Sequence, residues 1–97
     1  MYASVISAHI QSEDFAEGVQ MWQEFLNSHL MQQEGYKGCY LLTDSKTGKV
    51  LVVNLWENEA YATAYETSGK YQQDVARFAN VVRGLPFRQV YEVSVYA

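Results

Sequence analysis

Along Tyr2 to Gln11 the side chains alternate, with Ile6, Ala8 and Ile10 on one side and Val5, Ser7 and His9 on the other. A period of two predicts a strand. Beyond it the period lengthens. Phe15, Val19, Trp22, Leu26 and Leu30 recur every three or four residues, which predicts an amphipathic helix reaching about Gln33 and stopped by Gly35. Ser12 is its expected N-cap, with Glu13 and Asp14 suiting the positive end of the helix dipole.

Gly35 to Leu42 and Val50 to Glu57 flank the turn Asp44-Ser45-Lys46-Thr47-Gly48-Lys49. They read as one hairpin whose strands are apolar on both faces, with glycine where a short turn needs positive φ. If Asp44 pairs with Lys49, then Val50, Val52, Asn54 and Trp56 share a face with Thr43, Leu41 and Cys39. Leu51, Val53 and Leu55 then join Leu42, Tyr40 and Gly38, and a slip of one residue would exchange the two sets. Asn58 is an expected N-cap for a short helix, Glu59 to Ser68, ending at Gly69. Tyr71, Val75, Phe78 and Val82 form a further helical stripe ending at Gly84, and Gln89 to Tyr96 alternates again as a last strand. The order β-α-β-β-α-α-β predicts an α+β, ferredoxin-like fold with an antiparallel four-stranded sheet.

Ninety-seven residues make one domain, 1–97, with one core. Its helices can cover only one face of the sheet. With Leu51, Val53 and Leu55 under them, Val50, Val52, Leu41 and Trp56 are the set expected to lie bare. Four strands about 4.8 Å apart and about 18 Å long present roughly 350 Å², enough to call for a partner. A homodimer through the sheet faces is therefore expected.

Composition narrows the partners. The formal charge is −4, and the seven Lys and Arg are scattered, so nothing forms a stripe for phosphates and no nucleic-acid partner is expected. One cysteine, Cys39, excludes an internal disulfide and fits a reducing compartment. It reads as a buried, unreactive thiol. The first residues lack a signal-peptide pattern, and no apolar run is long enough to span a membrane. A cytoplasmic location is the expectation. Two separated histidines and one cysteine offer no metal-ligand spacing, and there is no Gly-rich phosphate loop, so no metal or cofactor is called for.

Three segments carry a resemblance: Gly35-Tyr36-Lys37-Gly38, the Asp44 to Lys49 turn, and Val53-Asn54-Leu55-Trp56-Glu57-Asn58-Glu59-Ala60. In these and in its element order the chain resembles the antibiotic-biosynthesis-monooxygenase-like (ABM-like) family. The resemblance implies a dimeric α+β barrel. It also implies cofactor-independent oxidation of a small aromatic or polyketide-like substrate, held between sheet and helices. Trp56, at the strand-to-helix junction, is implied as a pocket residue. Cofactor-independent oxygenases of this fold carry an asparagine four residues before that tryptophan, where this chain has Val52; Asn54 stands two before, on the same face. Haem-degrading members place an iron-ligating histidine on the second helix, and this chain has no histidine after Trp56.

On physical grounds Asn54 must bond something, because an unpaired amide among Val52, Val53 and Leu55 costs about 1–3 kcal/mol. Either a ligand or a structural partner satisfies that demand. Tyr61 and Tyr65 stand one turn apart, and Arg77 follows. A hydroxyl and a guanidinium of this kind could stabilise a substrate anion, or form an aromatic core pair and a solvated surface charge. His9 could act as a general base near neutral pH, or be a solvated strand residue. The candidate set is thus Asn54, Arg77 and His9 for catalysis and Trp56, Tyr61 and Tyr65 for a small aromatic ligand. A non-enzymatic dimeric barrel that binds a ligand, or is purely structural, is the alternative.

Overall fold

The computed structural model describes residues 1–97. Four antiparallel strands, β1 (Tyr2–His9), β2 (Tyr36–Asp44), β3 (Lys49–Trp56) and β4 (Phe87–Glu92), lie in the order β2-β3-β1-β4. Helices α1 (Phe15–Ser28), α2 (Glu59–Thr67) and α3 (Lys70–Arg77) cover one face. This is the ferredoxin-like α+β arrangement.

The hairpin register is the expected one, Asp44 opposite Lys49 and Leu41 opposite Val52. Gly48 makes its turn possible. Its φ is +79°, and a Cβ there would stand 2.4 Å from the Ile10 carbonyl oxygen, while its own carbonyl accepts from Ile10 N at 2.8 Å.

The covered face is the reverse of the one expected. β1 pairs Ile6 with Val52 and Ala8 with Val50, so the apolar side of β1 fixes which side of β3 meets the helices. Val50, Val52 and Trp56 are buried beneath them, at 4%, 7% and 2% exposure. Leu51, Val53 and Leu55 instead lie half-exposed on the other face, beside exposed Tyr40, Leu42, Phe87 and Tyr91. An apolar bare face exists, then, but it carries the opposite set of side chains.

Element ends move for local reasons. Ser12–Asp14 forms a 3₁₀ turn, so Asp14 rather than Ser12 stands at the N-cap of α1, without a side-chain bond. α1 stops at Ser28, and a 3₁₀ turn over Leu30–Gln32 buries Leu30 before Gly35. α2 begins as expected at Asn58, whose side chain accepts from Tyr61 N at 3.1 Å. α3 ends at Arg77 instead of continuing to Gly84, because Val82 leaves the helix to bridge Ile10. β4 spans Phe87–Glu92 rather than Gln89 to Tyr96. Glu92 lies opposite Tyr2, and past it β1 has only the Met1 carbonyl left, which accepts from Val93 N at 2.9 Å.

Candidate functional site: a half-filled space between sheet and helices

The space between sheet and helices has two unlike ends. At the β3 C-terminus it is full. Trp56 packs against Tyr36 at 5.1 Å, nearly edge-on, and against Tyr65 at 5.3 Å between ring centroids. Its indole N–H donates to Ser4 Oγ at 3.3 Å. A register shift between Tyr36 and Gly38 lets Tyr36, and not Lys37, lie opposite Trp56. β-Bulges re-aim side chains in this way. The Tyr36 hydroxyl thereby donates to Asn54 Oδ1 at 2.7 Å, which answers the demand of a mid-strand amide that is 5% exposed. Phe25, Leu30, Ala62 and Tyr65 complete this packed cluster.

Toward the β3 N-terminus the space is hollow. A cavity of about 140 Å³ opens beneath Ile6 and Val52 of the sheet and Trp22, Val75 and Phe78 of the helices. Its rim includes Gly84-Leu85-Pro86, with Leu85 91% exposed. Gly18 brings α1 close to the sheet at this end, since a Cβ there would be 3.1 Å from Ile10 Cδ1. Trp22 and Phe78 pack at 5.8 Å, and each leans on Phe25, at 5.7 and 5.6 Å respectively, so this aromatic wall is anchored in the packed core.

Three residues with polar side-chain atoms, Trp22, Tyr71 and Asp74, line the hollow end. Asp74 is the one charged residue lining the cavity, and its carboxylate accepts from the Tyr65 hydroxyl. Burial pushes the Asp74 carboxyl above its usual range, against the pull of the Tyr65 bond, His29 and Arg77. The Tyr65 hydroxyl is pushed up as well, first by burial and then by Asp74. The Trp22 indole N–H is fully buried and has no hydrogen-bond partner.

The residues singled out from the sequence fall in different places. Asn54, Trp56 and Tyr65 meet at the packed end, where Tyr65 reaches Asp74 and so touches the cavity at one remove. Tyr61 points outward, its hydroxyl donating to Glu34 at 3.3 Å, and the Glu34 charge holds that hydroxyl above its usual range. Arg77 is exposed, with its guanidinium over the Phe25 ring at 4.7 Å. His9 is exposed at the end of β1 opposite Lys49, on the side of the sheet away from the helices. Trp22 and Asp74 were not singled out. Asp74 had a readable signal: with Tyr71, Val75 and Phe78 it shares a helix face, and a carboxylate within an apolar stripe is out of place.

No protein-family model matches the chain, and no curated protein sequence matches it. Solved structures do. A protein of unknown function from Nitrosomonas europaea superposes with a TM-score of 0.79 at 14% identity, covering 99% of this chain and 91% of that one. A monooxygenase of Streptomyces coelicolor, solved with nanaomycin D, gives 0.78 at 11% identity over 99% and 89%. A haem-degrader from Mycobacterium tuberculosis, solved with two haems in its active site, gives 0.75 at 16% identity over 100% and 99%. At these identities the likeness establishes a shared fold.

Proposed function

We propose that this chain is an ABM-like protein that holds one ring of a flat, apolar, aromatic molecule in the hollow end and oxidises it with dioxygen. The observation that carries this is the cavity itself: apolar walls, one carboxyl, and a mouth at Leu85 and Pro86. Its size sharpens the substrate. A dry apolar cavity of about 150 Å³ takes up benzene, so about 140 Å³ admits a single ring, with any larger body extending past the rim. The Streptomyces coelicolor neighbour, solved with nanaomycin D, supports the aromatic class.

The chemistry needs no group beyond substrate and dioxygen. Asp74, its proton affinity raised by burial, is the base nearest the ring and takes the phenolic proton. The electron-rich phenolate then reduces dioxygen. One oxygen atom becomes the second carbonyl of a para-quinone; the other leaves as water with the phenolic hydrogen and the ring hydrogen it displaces. Asn54 and Tyr36 hold the packed end rigid beside the site. Haem does not suit these residues: no histidine, cysteine or methionine lines the cavity, and His29 is stacked on Phe25 at 5.0 Å.

The bare sheet face supports a homodimer. Leu42, Tyr40, Phe87 and Tyr91 are 50–62% exposed on one surface, where burial against a second copy is the economical solution.

Oxygen uptake with a series of single-ring phenols tests the reaction. Uptake above background, abolished by Asp74→Asn and untouched by chelator, is the expected result. A second reading, binding without turnover, is favoured by the Tyr36–Asn54 pair, in which the Asn54 carbonyl already has a structural partner within the protein. Saturable binding with background oxygen uptake would select it.

A further inference from the structure

Tyr65 belongs to both ends of the interlayer space. Its ring is buried in the packed cluster, 5.3 Å from Trp56, which Ser4 and Tyr36 hold in turn. Its hydroxyl reaches the other way, from α2 to α3, and donates to Asp74 Oδ2. Asp74 lines the cavity. Its Oδ1 accepts nothing from the protein, yet it is not sealed off, because Trp22 Nε1 is the one buried side-chain polar atom left unpaired. One oxygen is therefore gripped by a donor on a packed ring while the other is free to accept. The groups facing Asp74 are Tyr65 from α2, His29 just beyond α1 and Arg77 on α3 itself. Tyr71 is its neighbour on α3, with Arg88 of β4 at 5.3 Å over the Tyr71 ring, and that guanidinium is paired with Glu66 at 3.1 Å. Of these groups only Tyr65 bonds to the carboxylate.

We propose that Tyr65 is a positioning residue: by holding Asp74 Oδ2 it aims Oδ1 into the cavity, where Oδ1 accepts from the hydroxyl of a phenolic ring. This rests on the reading of the cavity given above and adds the residue that sets its base. Tyr65 does not line the cavity and acts through Asp74. Its own hydroxyl is held above the usual range by burial and by Asp74, so it stays protonated and donates wherever Asp74 titrates. A hydrogen bond to the charged form favours that form, which opposes the burial that disfavours it at Asp74. In the oxidation the phenolic proton moves to Oδ1, and the Tyr65 proton stays where it is.

The carboxyl-carbon resonance of Asp74, followed through its titration with phenol and toluene as probes of nearly equal shape, tests the assignment. Tyr65→Phe keeps the packed ring and removes only the hydroxyl. It should move the Asp74 titration upward by about one pH unit, the scale of one hydrogen bond to a charged group. Both probes should perturb cavity residues such as Val52 and Val75. Phenol alone should move the native titration downward, because its hydroxyl donates to the ionised form. The preference for phenol over toluene should fall by up to about tenfold in Tyr65→Phe, and the acid limb of kcat/KM should rise with the Asp74 titration. A titration unmoved by Tyr65→Phe, or an unchanged preference, overturns the role of Tyr65 and leaves the oxidation to be judged by oxygen uptake. Background oxygen uptake with the Tyr65 effects intact overturns the oxidation and supports the positioning. Absence of any perturbation by either probe overturns both. In the native protein the Tyr65 Cζ resonance should follow the Asp74 titration, and a Cζ that ignores it overturns the proposal even if Tyr65→Phe fails to fold.

Discussion

The packed and hollow ends of the same interlayer space are built from similar residues and solve opposite problems. Around Trp56 every buried polar atom has a partner, from Ser4 for the indole to Tyr36 for Asn54. Around Trp22 an equally large ring borders empty volume and carries an unpaired donor. Natural interiors pair their buried polar groups, and dense packing leaves few voids. An end that violates both rules, beside one that obeys both, is where we propose that a ligand sits. Two of the three segments that carry the family resemblance, Gly35-Tyr36-Lys37-Gly38 and Val53 to Ala60, mark the end that holds the fold together. The proposed ligand chemistry sits one aromatic layer away.

The two faces of β3 offer the largest test of this geometry. Val52→Lys puts a charge among the buried apolar residues between sheet and helices, and should cost on the order of 4 kcal/mol, read as a collapse of the urea midpoint. Val53→Lys, one residue along, points into the bare face. It should leave the protomer folded while shifting light scattering from about twice 11.1 kDa to 11.1 kDa. Equal unfolding by both would mean that the bare face is not bare. A wild-type protein monomeric at micromolar concentration would remove the proposed dimer.

Truncating the two tryptophans compares the ends directly. Trp56→Ala empties a fully packed site and should cost about 3–5 kcal/mol. Trp22→Ala enlarges a space that is already open, at a half-buried ring, and should cost roughly half as much. Calorimetry or urea titration checks the order, and a larger loss at Trp22 would contradict the division into packed and hollow ends.

Much of this architecture could be read from periodicity: the element order, the Asp44–Lys49 register and the Asn58 cap all follow from local rules. The covered face could not be chosen from the hairpin alone, because Val50-Val52 and Leu51-Val53 are equally apolar and a period of two is blind to which set is inside. β1 held the answer, since Ser7 and His9 mark its open side, and pairing with β3 transmits that asymmetry. The bulge at Lys37 was marked only by Gly38, a glycine inside the strand at φ +132°, which names no partner, so the Tyr36–Asn54 bond was hidden although the need for some partner was plain. The site was the least legible part. A void is a property of how three helices settle on a sheet, and neither Trp22 nor Asp74 forms a sequence motif.

Adding volume is a finer test than removing it. Ala62→Val, at a position with no exposure, should cost about 1–3 kcal/mol by overpacking. Ala8→Val faces the cavity from a strand, where a branched side chain is welcome. It should change stability by less than about 0.5 kcal/mol while weakening the binding of any single-ring ligand. A stability loss at Ala8 as large as that at Ala62 would show that the hollow end has no room.

The last test belongs to Asp74, and its effect is small. Burial raises its carboxyl above 3.8 in the folded chain, with Tyr65, His29 and Arg77 opposing. The folded state therefore binds this proton more tightly than the unfolded one. Its contribution to stability is fully present below the unfolded value and is lost as pH rises through the raised value, because stability falls with pH wherever the native state holds more protons. Asp74→Asn removes that dependence. The stability of wild type minus variant, measured by urea unfolding from about pH 3.5 to 7, should decline upward from 3.8 and then flatten. The amplitude is about 1 kcal/mol or less, because solvent screens a half-buried carboxyl. A difference that rises with pH would mean that the Tyr65 hydrogen bond and the two cations outweigh burial. Asp74 would then be a carboxylate held ionised by its neighbours, too weak a base for the proton transfer assigned to it.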